Sequence, residues 1–345
     1  MDYVTQNIVL KYLQEFKTDS TSTIARTIMK ENPGLFTDFE STRNYIRYYR
    51  GQSGSTHRNK MDIEHYVPRV NIPEPVEQNY EPYIISKEDY PLLIGADAHV
   101  PYHNRDAIEL FIEYGLNMKP KPNTIILLGD WADFYKLSSW NIDPTMPDIK
   151  QELEMLKSIL TSIRKLFPKA KIIYKYGNHE ERYDRYLMTR APEVFHLPHT
   201  HLREQLELDK LGIEIVDDKR LIKAWHLTII HGHEYKFSIN NPVSPSRGLF
   251  MKAKKSAICG HFHQKTEYSE PTITGHVIRD WSIGGLCNLH PFYMPLNKWT
   301  NGFATVTITD DFYTVSNKEI ISNRIVRTID QFTINNFIRL NFECL

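Results

Sequence analysis

Thr124-Ile125-Ile126-Leu127-Leu128-Gly129-Asp130-Trp131-Ala132-Asp133 is the stretch that decides how this chain folds. Five apolar or β-branched residues make a short buried strand. A glycine then lets the backbone turn sharply at the strand exit. Two carboxylates, Asp130 and Asp133, follow at once. In an open α/β sheet the loops leaving the carboxyl ends of strands gather on one edge and build a site there. The same grammar recurs on both sides of this stretch. Asp97-Ala98-His99 follows Leu92-Leu93-Ile94, and Gly177-Asn178-His179-Glu180 follows the apolar residues 171–176. His231-Gly232-His233 follows residues 227–230, and Gly260-His261-Phe262-His263 follows residues 256–259. A single Asp after Gly is ordinarily a turn residue. Five such segments, each at the end of a strand-like run, supply carboxylate, amide and imidazole groups together, the donor set of a metal centre.

Between these strands lie amphipathic helices. Residues 106–117 place Ile108, Phe111 and Ile112 on one face; residues 148–167 do the same with Leu153, Leu156, Leu160 and Ile163 before Pro168 stops them. Strand and helix alternate up to about residue 176, and strands dominate afterwards, at residues 276–283, 303–309 and 313–316. This is a mixed α/β fold. The first 50 residues differ. Three short helices are expected there, the second capped by Ser22 or Thr23 and ended by Asn32-Pro33-Gly34, in the manner of a helix-turn-helix bundle. Polar residues punctuated by Pro68, Pro73, Pro75 and Pro82 then read as a linker. The expected organisation is a helical domain at 1–52, a linker at 53–90 and the α/β domain at 91–345.

Of the 345 residues, Lys plus Arg and Asp plus Glu number 42 each, so net charge announces neither a nucleic-acid nor a membrane partner. Cys259, Cys287 and Cys344 are far apart and form no CxxC pair, which excludes a cysteine-ligated zinc and a disulfide framework and fits a reducing cytoplasm. No basic-then-apolar signal segment opens the chain, and no apolar run is long enough to span a bilayer.

The five segments in this order resemble those of the calcineurin-like metallophosphoesterases, in particular phage-encoded members and the repair-exonuclease branch. The resemblance covers about residues 91–309. It implies two packed mixed β-sheets flanked by helices, and two divalent transition-metal ions: Mn first, with Fe, Zn or Co as alternatives that the N/O donor set equally suits. One ion would be held by Asp97, His99, Asp130 and His263. The other would be held by Asp130, Asn178, His231 and His261, with Asp130 bridging. A hydroxide between the ions would attack phosphorus. His179 would protonate the leaving oxygen, and Asp133 would accept a hydrogen bond from His179 and hold its ring. His233 would stand outside the ligand shell.

The resemblance leaves the substrate open. The protein phosphatase branch continues with Arg-Gly after Gly-Asp-x-x-Asp, whereas Phe134-Tyr135 follows here. Arg182 and His103 are then candidate substrate contacts, as are Lys254 and Lys255, the end of a basic run leading into Gly260-His261. In the helical domain Arg43, Arg47 and Arg50 interleave with Tyr45, Tyr48 and Tyr49, a composition suited to a nucleic-acid backbone and its bases. Arg43, Arg47, Tyr48 and Arg50 are the candidate nucleic-acid contacts. The expected function is a dinuclear phosphodiesterase acting on nucleic acid. Two alternatives stand beside it. One is a phosphatase or cyclic-nucleotide phosphodiesterase on a small molecule, whose helical domain serves dimerisation or docking. The other is a non-catalytic DNA-binding or scaffold protein.

Overall fold

The computed structural model describes residues 3–52, 80–138, 142–217, 219–235, 243–309 and 312–326, in two units divided between Glu77 and Gln78. The first unit is three helices, α1 (Tyr3–Glu15), α2 (Thr21–Glu31) and α3 (Phe39–Tyr49). Their apolar stripes meet at Val9, Leu13, Ile24, Ile28 and Ile46, all buried. Ser20 caps α2, its hydroxyl accepting from the Thr23 amide at 3.1 Å, so the helix starts before the expected Ser22 or Thr23 cap. Asp38 caps α3 by accepting from the Ser41 amide at 2.7 Å. Residues 32–38 join the two helices, a connection longer than the roughly three or four residues of a DNA-reading helix-turn-helix.

The second unit runs β1 (Tyr83–Ile85), β2 (Leu92–Gly95), α4 (Arg105–Asn117), β3 (Thr124–Leu128), α5 (Ile149–Leu166), β4 (Lys171–Lys175), α6 (Glu180–Arg190), α7 (Leu202–Gln205) and β5 (Ile213–Val216). It continues with β6 (Ile222–Ala224), β7 (Leu227–Ile230), α8 (Pro245–Ala253), β8 (Ala257–Cys259), β9 (Thr266–Pro271), β10 (Val277–Ser282), β11 (Asn301–Thr309), β12 (Phe312–Ile321) and β13 (Arg324–Ile325). Among the described residues these strands make two mixed sheets, ordered β1-β6-β7-β8-β10-β9 and β13-β12-β11-β2-β3-β4-β5. The expected linker needs correcting at its end. Tyr83–Ile85 pairs in parallel with Ile222–Ala224, so the sheet unit begins before residue 91. The rest of that linker, residues 53–79, lies outside the described residues, as does Cys344.

The two faces of each strand explain the layers. Leu92 and Ile94 of β2, with Ile126 and Leu128 of β3, point between the sheets and meet Ile222, Leu227, Ile229, Ile258 and Trp281. Leu93, Ile125 and Leu127 point the other way and pack on Phe111 of α4 and Leu156, Leu160 and Ile163 of α5. Covering both faces is why these parallel strands read as continuous apolar runs. A capping box starts α5: the Asp148 carboxylate accepts from the Gln151 amide at 2.8 Å, and the Gln151 side chain accepts from the Asp148 amide at 3.1 Å. On the outer face of the six-stranded sheet, α8 packs Leu249 on Ile230, Ala257 and Cys259. Among the described residues no helix is long and apolar enough to cross a membrane.

Candidate metal centre

β2, β3 and β4 run parallel in one sheet, and β7 and β8 run parallel in the other, so their exits carry the five segments. Two contacts tie the sheets together at these exits. His231, at the end of β7, places Nδ1 2.7 Å from the carbonyl of Leu128 at the end of β3. The His261 amide donates to both oxygens of Asp97, at 2.9 and 3.1 Å. Asp130 Oδ2 sits centrally, 3.1 Å from His231 Nε2, 3.8 Å from His179 Nε2 and 4.0 Å from His99 Nε2. Asp97 Oδ1 lies 3.3 Å from His263 Nε2 and 3.9 Å from His231 Nε2.

Three groups of side chains could each hold an ion: Asp97, His99 and His263; Asp130, His231 and His261; and His99, Asp133 and His179, the ligand atoms in each lying within 4.8 Å of one another. The first two lie within the two sets expected from the sequence, less the shared Asp130 and the amide of Asn178; the third was not expected. Asn178 Oδ1 and His261 Nδ1 are buried with no hydrogen-bond partner, and His231 Nε2 faces only the Asp130 carboxylate, 3.1 Å away. An unsatisfied buried polar atom costs about 1–3 kcal/mol. Two of them from two loops, both drawn from one expected ligand set, fit a cation.

The backbone is strained at the same place. Asp97, His99, Asp130, His261 and His263 have φ of 55°, 50°, 52°, 68° and 52°. The left-handed region costs a residue with a Cβ about 1–2 kcal/mol. Such strain persists where surrounding structure over-determines it, characteristically at functional sites. Of the exit glycines, Gly129 alone is needed for its conformation, at φ 76°. Gly177 is needed for room, since a Cβ there would stand 2.3 Å from Asp130 Oδ1.

The electrostatics also call for positive charge. Burial pushes the Asp130 carboxyl up, but the charges of His231 and His179 and the His231 contact outweigh it and hold Asp130 well below the usual range. Asp97 behaves alike: burial raises it, and His263 brings it down. Burial depresses His231, yet Asp130 drives it up to about 10. His261, desolvated and beside His231, falls to about 3 and keeps a neutral ring. The field that draws protons onto His231 would also hold a divalent cation, with proton release on binding.

His179 lies at the margin of the two expected sets and belongs, with His99 and Asp133, to the third group. Its amide donates to Asp130 Oδ1 at 2.9 Å, and its Nδ1 pairs with the main-chain carbonyl of Asp133 at 2.7 Å. Arg182 places Nη2 2.9 Å from His179 Nε2 and donates through Nη1 to the Asp133 carbonyl at 3.2 Å. The role expected of Asp133 changes accordingly. Its carboxylate pairs first with His99 Nδ1, at 2.7 Å, and stands 3.4 Å from His179 Nδ1. Two imidazoles reach one carboxylate, and the nearer ring is the ligand's. His233 turns away to Glu181 at 2.6 Å.

Three supports were not assigned from sequence. The buried Glu180 carboxylate accepts from the amides of Asp130, Trp131 and Gly177 at 2.9 Å, from Ala132 at 3.2 Å and from the Tyr174 hydroxyl at 2.8 Å. It therefore fixes two ligand loops at once. Lys175, fully buried, pairs with Glu234 at 3.0 Å, and Glu234 accepts from the amides of His231 and Gly232. Cys287 Sγ lies 3.7 Å from His263 Nδ1. Glu180 had a signal, its place in Gly-Asn-His-Glu; the other two had none.

Other expected contacts are placed elsewhere. Lys254 and Lys255 enter β8 at its amino end, whereas His261 leaves the carboxyl end, so the strand separates them from the centre. Lys254 lies over the ring of Phe250. His103 is tied by a backbone bridge to Cys287 and belongs to none of the three ion-holding groups. In the helical unit Arg43 pairs with Glu40 at 2.5 Å. Arg50 donates to the Asp19 carbonyl at 2.6 Å and to Thr21 at 3.1 Å. The Arg43 pair lies within α3, whereas Arg50 ties α3 to the start of α2, and Tyr48 packs edge-on against Tyr49 with ring centroids 5.2 Å apart.

No protein-family model and no curated protein sequence matches this chain. Solved structures of similar fold include wild-type Vps29 from Entamoeba histolytica complexed with Zn²⁺, at TM-score 0.37 and 12% identity over 69% of this chain and 96% of that one. Vacuolar Protein Sorting 29 from Cryptosporidium parvum gives 0.38 and 12% over 68% and 94%. Vps29 from Chaetomium thermophilum gives 0.36 and 10% over 69% and 95%.

Proposed function

We propose that the two-sheet unit is a dinuclear metal-dependent phosphoesterase that hydrolyses phosphodiesters, with nucleic acid as the substrate. The observation that carries this reading is the meeting of Asp130, His231 and His261 within 4.8 Å beside two partnerless buried atoms, Asn178 Oδ1 and His261 Nδ1. Asp97, His99, Asp130 and His263 would hold one cation; Asp130, Asn178, His231 and His261 the other. Bound there, divalent transition metals supply Lewis-acid polarisation of the phosphoryl group and activation of water at neutral pH.

The chain's own residues do the rest. Asp133 fixes the His99 ring, and Glu180 fixes the loops that present Asp130 and Asn178. His179 has Nδ1 held by the Asp133 carbonyl and Nε2 accepting from Arg182 Nη2; once a phosphoryl oxygen takes that guanidinium, Nε2 is free to carry the proton that passes to the leaving oxygen. Burial lowers its proton affinity, but the charge of Asp130 more than restores it, so the ring is readier to be protonated than an ordinary imidazole. Arg182, beside that nitrogen, offers N–H groups to a phosphoryl oxygen. The same arginine favours a second reading, a small-molecule monoester, whose dianion would need a cation there.

Full-length protein with Mn²⁺ should turn over bis-p-nitrophenyl phosphate faster than p-nitrophenyl phosphate. Monoester preference would support the second reading. Silence on both with metal bound would support the non-catalytic alternative.

A further inference from the structure

The rim of the metal centre is aromatic. Tyr102 follows His99 by one turn of loop, and Tyr135 follows Asp133. Phe292 and Tyr293, from the connection between β10 and β11, pack on both. Ring centroids lie 5.8 and 5.9 Å from Tyr102, and 5.4 and 6.3 Å from Tyr135. Phe292 is nonetheless 47% exposed and Tyr293 39%. Further along the same connection a cleft of about 640 Å³ opens, lined by His261, His263, Met294, Leu296 and Trp299. Its size falls within the roughly 300–1,000 Å³ of small-ligand sites. The Trp299 ring lies 4.2 Å from His263. One connection thus flanks the centre on the His179 side and on the His261 side.

This connection is built, not loose. His290 Nδ1 lies 3.1 Å from the Pro295 carbonyl. The Asn297 amide donates to the carbonyls of Leu289 and Met294 at 2.6 and 2.8 Å, and its oxygen accepts from the Trp299 amide at 2.8 Å. A braced loop that keeps Phe292, Met294 (46%) and Leu296 (93%) in solvent presents an apolar surface beside a polar centre. Such a surface marks a contact.

Resting on the phosphodiesterase reading above, we propose that Phe292 and Tyr293 form a stacking wall for an unpaired nucleobase, so that the substrate is single-stranded nucleic acid or a flexible nucleotide end. Rings backed by rings suit a flat π-face better than an acyl chain, and stacking of this kind tolerates any base. A base inside a duplex has both faces covered and cannot reach the wall without being extruded.

The test compares thymidine 5′-p-nitrophenyl phosphate with methyl p-nitrophenyl phosphate, with Mn²⁺, on the full chain. The two share a leaving group and differ in the nucleoside, sugar and base together, so the effect of Phe292→Ala isolates the stack. Wild type should favour the nucleotide ester by roughly tenfold or more in kcat/KM, the scale of one base–aromatic stack. Phe292→Ala should lose most of that ratio, chiefly through KM, and Phe292→Trp should restore it. An equal ratio in wild type and Phe292→Ala would overturn the wall, and so would a stronger preference for dodecyl p-nitrophenyl phosphate. If neither ester is turned over, the phosphodiesterase reading fails by itself. Anisotropy of fluorescein-labelled dT4 in EDTA then decides the wall alone. Weaker binding by Phe292→Ala, regained in Phe292→Trp, supports it, and equal binding overturns it.

Discussion

In the helical unit Ser20 and Asp38 cap helices, Arg43 pairs with Glu40, and Arg50 holds the Asp19 carbonyl. In the ligand loops Asn178 and His261 each keep a buried atom with no partner. Backbone strain divides the same way. Among the described residues of the bundle, positive φ falls on Gly34 and Gly51, whereas in the loops it falls on five ligand-bearing residues with side chains. Most of these polar groups of the bundle serve its own stability, although Arg43 Nε is buried without a partner. The loops hold theirs back at a cost.

Breaking the loops should therefore have the largest effect. Asp130→Asn removes the carboxylate common to both expected sets. Its rate on bis-p-nitrophenyl phosphate should fall about a thousandfold or more, the several kcal/mol that metal charge contributes. Elemental analysis should find fewer than two ions bound. His179→Asn should leave metal content unchanged and lower kcat by about 10²–10⁴, the contribution of a positioned proton donor. Loss of metal from that variant would make His179 a ligand and overturn its place at the margin. Lys175→Met should cost about 3–5 kcal/mol in urea unfolding, because Glu234 would be left charged and unpaired in the interior. No polar side chain of the bundle core forms a comparable buried ion pair among the described residues.

Why some of this was legible follows from range. Each ligand segment is local, a strand followed by a glycine or a tight exit, so Asp130, Asn178 and His261 could be picked out by position. α5 was equally plain, since its apolar spacing and its capping box lie within one helix. The braces were hidden because their partners are distant: Glu180 accepts from amides of the β3 exit, and Lys175 meets Glu234 of the β7 exit. Tyr83–Ile85 pairs with Ile222–Ala224, and nothing in so short a segment among prolines announces a strand. Lys254 and Lys255 look adjacent to His261 in sequence, yet a strand carries them to its other end. The division of Asp133 between His99 and His179 needed distances.

Asp280 sharpens the comparison from within the sheets. Its Oδ2 is also buried without a partner, but it stands on β10, outside all three ion-holding groups. Burial pushes its carboxyl up to about 7, against a single opposing hydrogen bond from the Ala257 amide. Asp130, equally buried, is held ionised by imidazoles; Asp280 instead keeps its proton. Because the folded state holds that proton more tightly than the unfolded chain does, stability is full below the ordinary carboxylate range, near pH 4. It falls as pH rises from there to about 7 and levels off above. Asp280→Asn cannot ionise and should lack that fall. The Tm difference, variant minus wild type, should therefore grow in the variant's favour between pH 5 and pH 8, with about 2–4 °C for each kcal/mol removed. A difference that stays flat across that window would mean Asp280 titrates like an exposed carboxylate, and an orphaned oxygen would then have to be read the same way in both places.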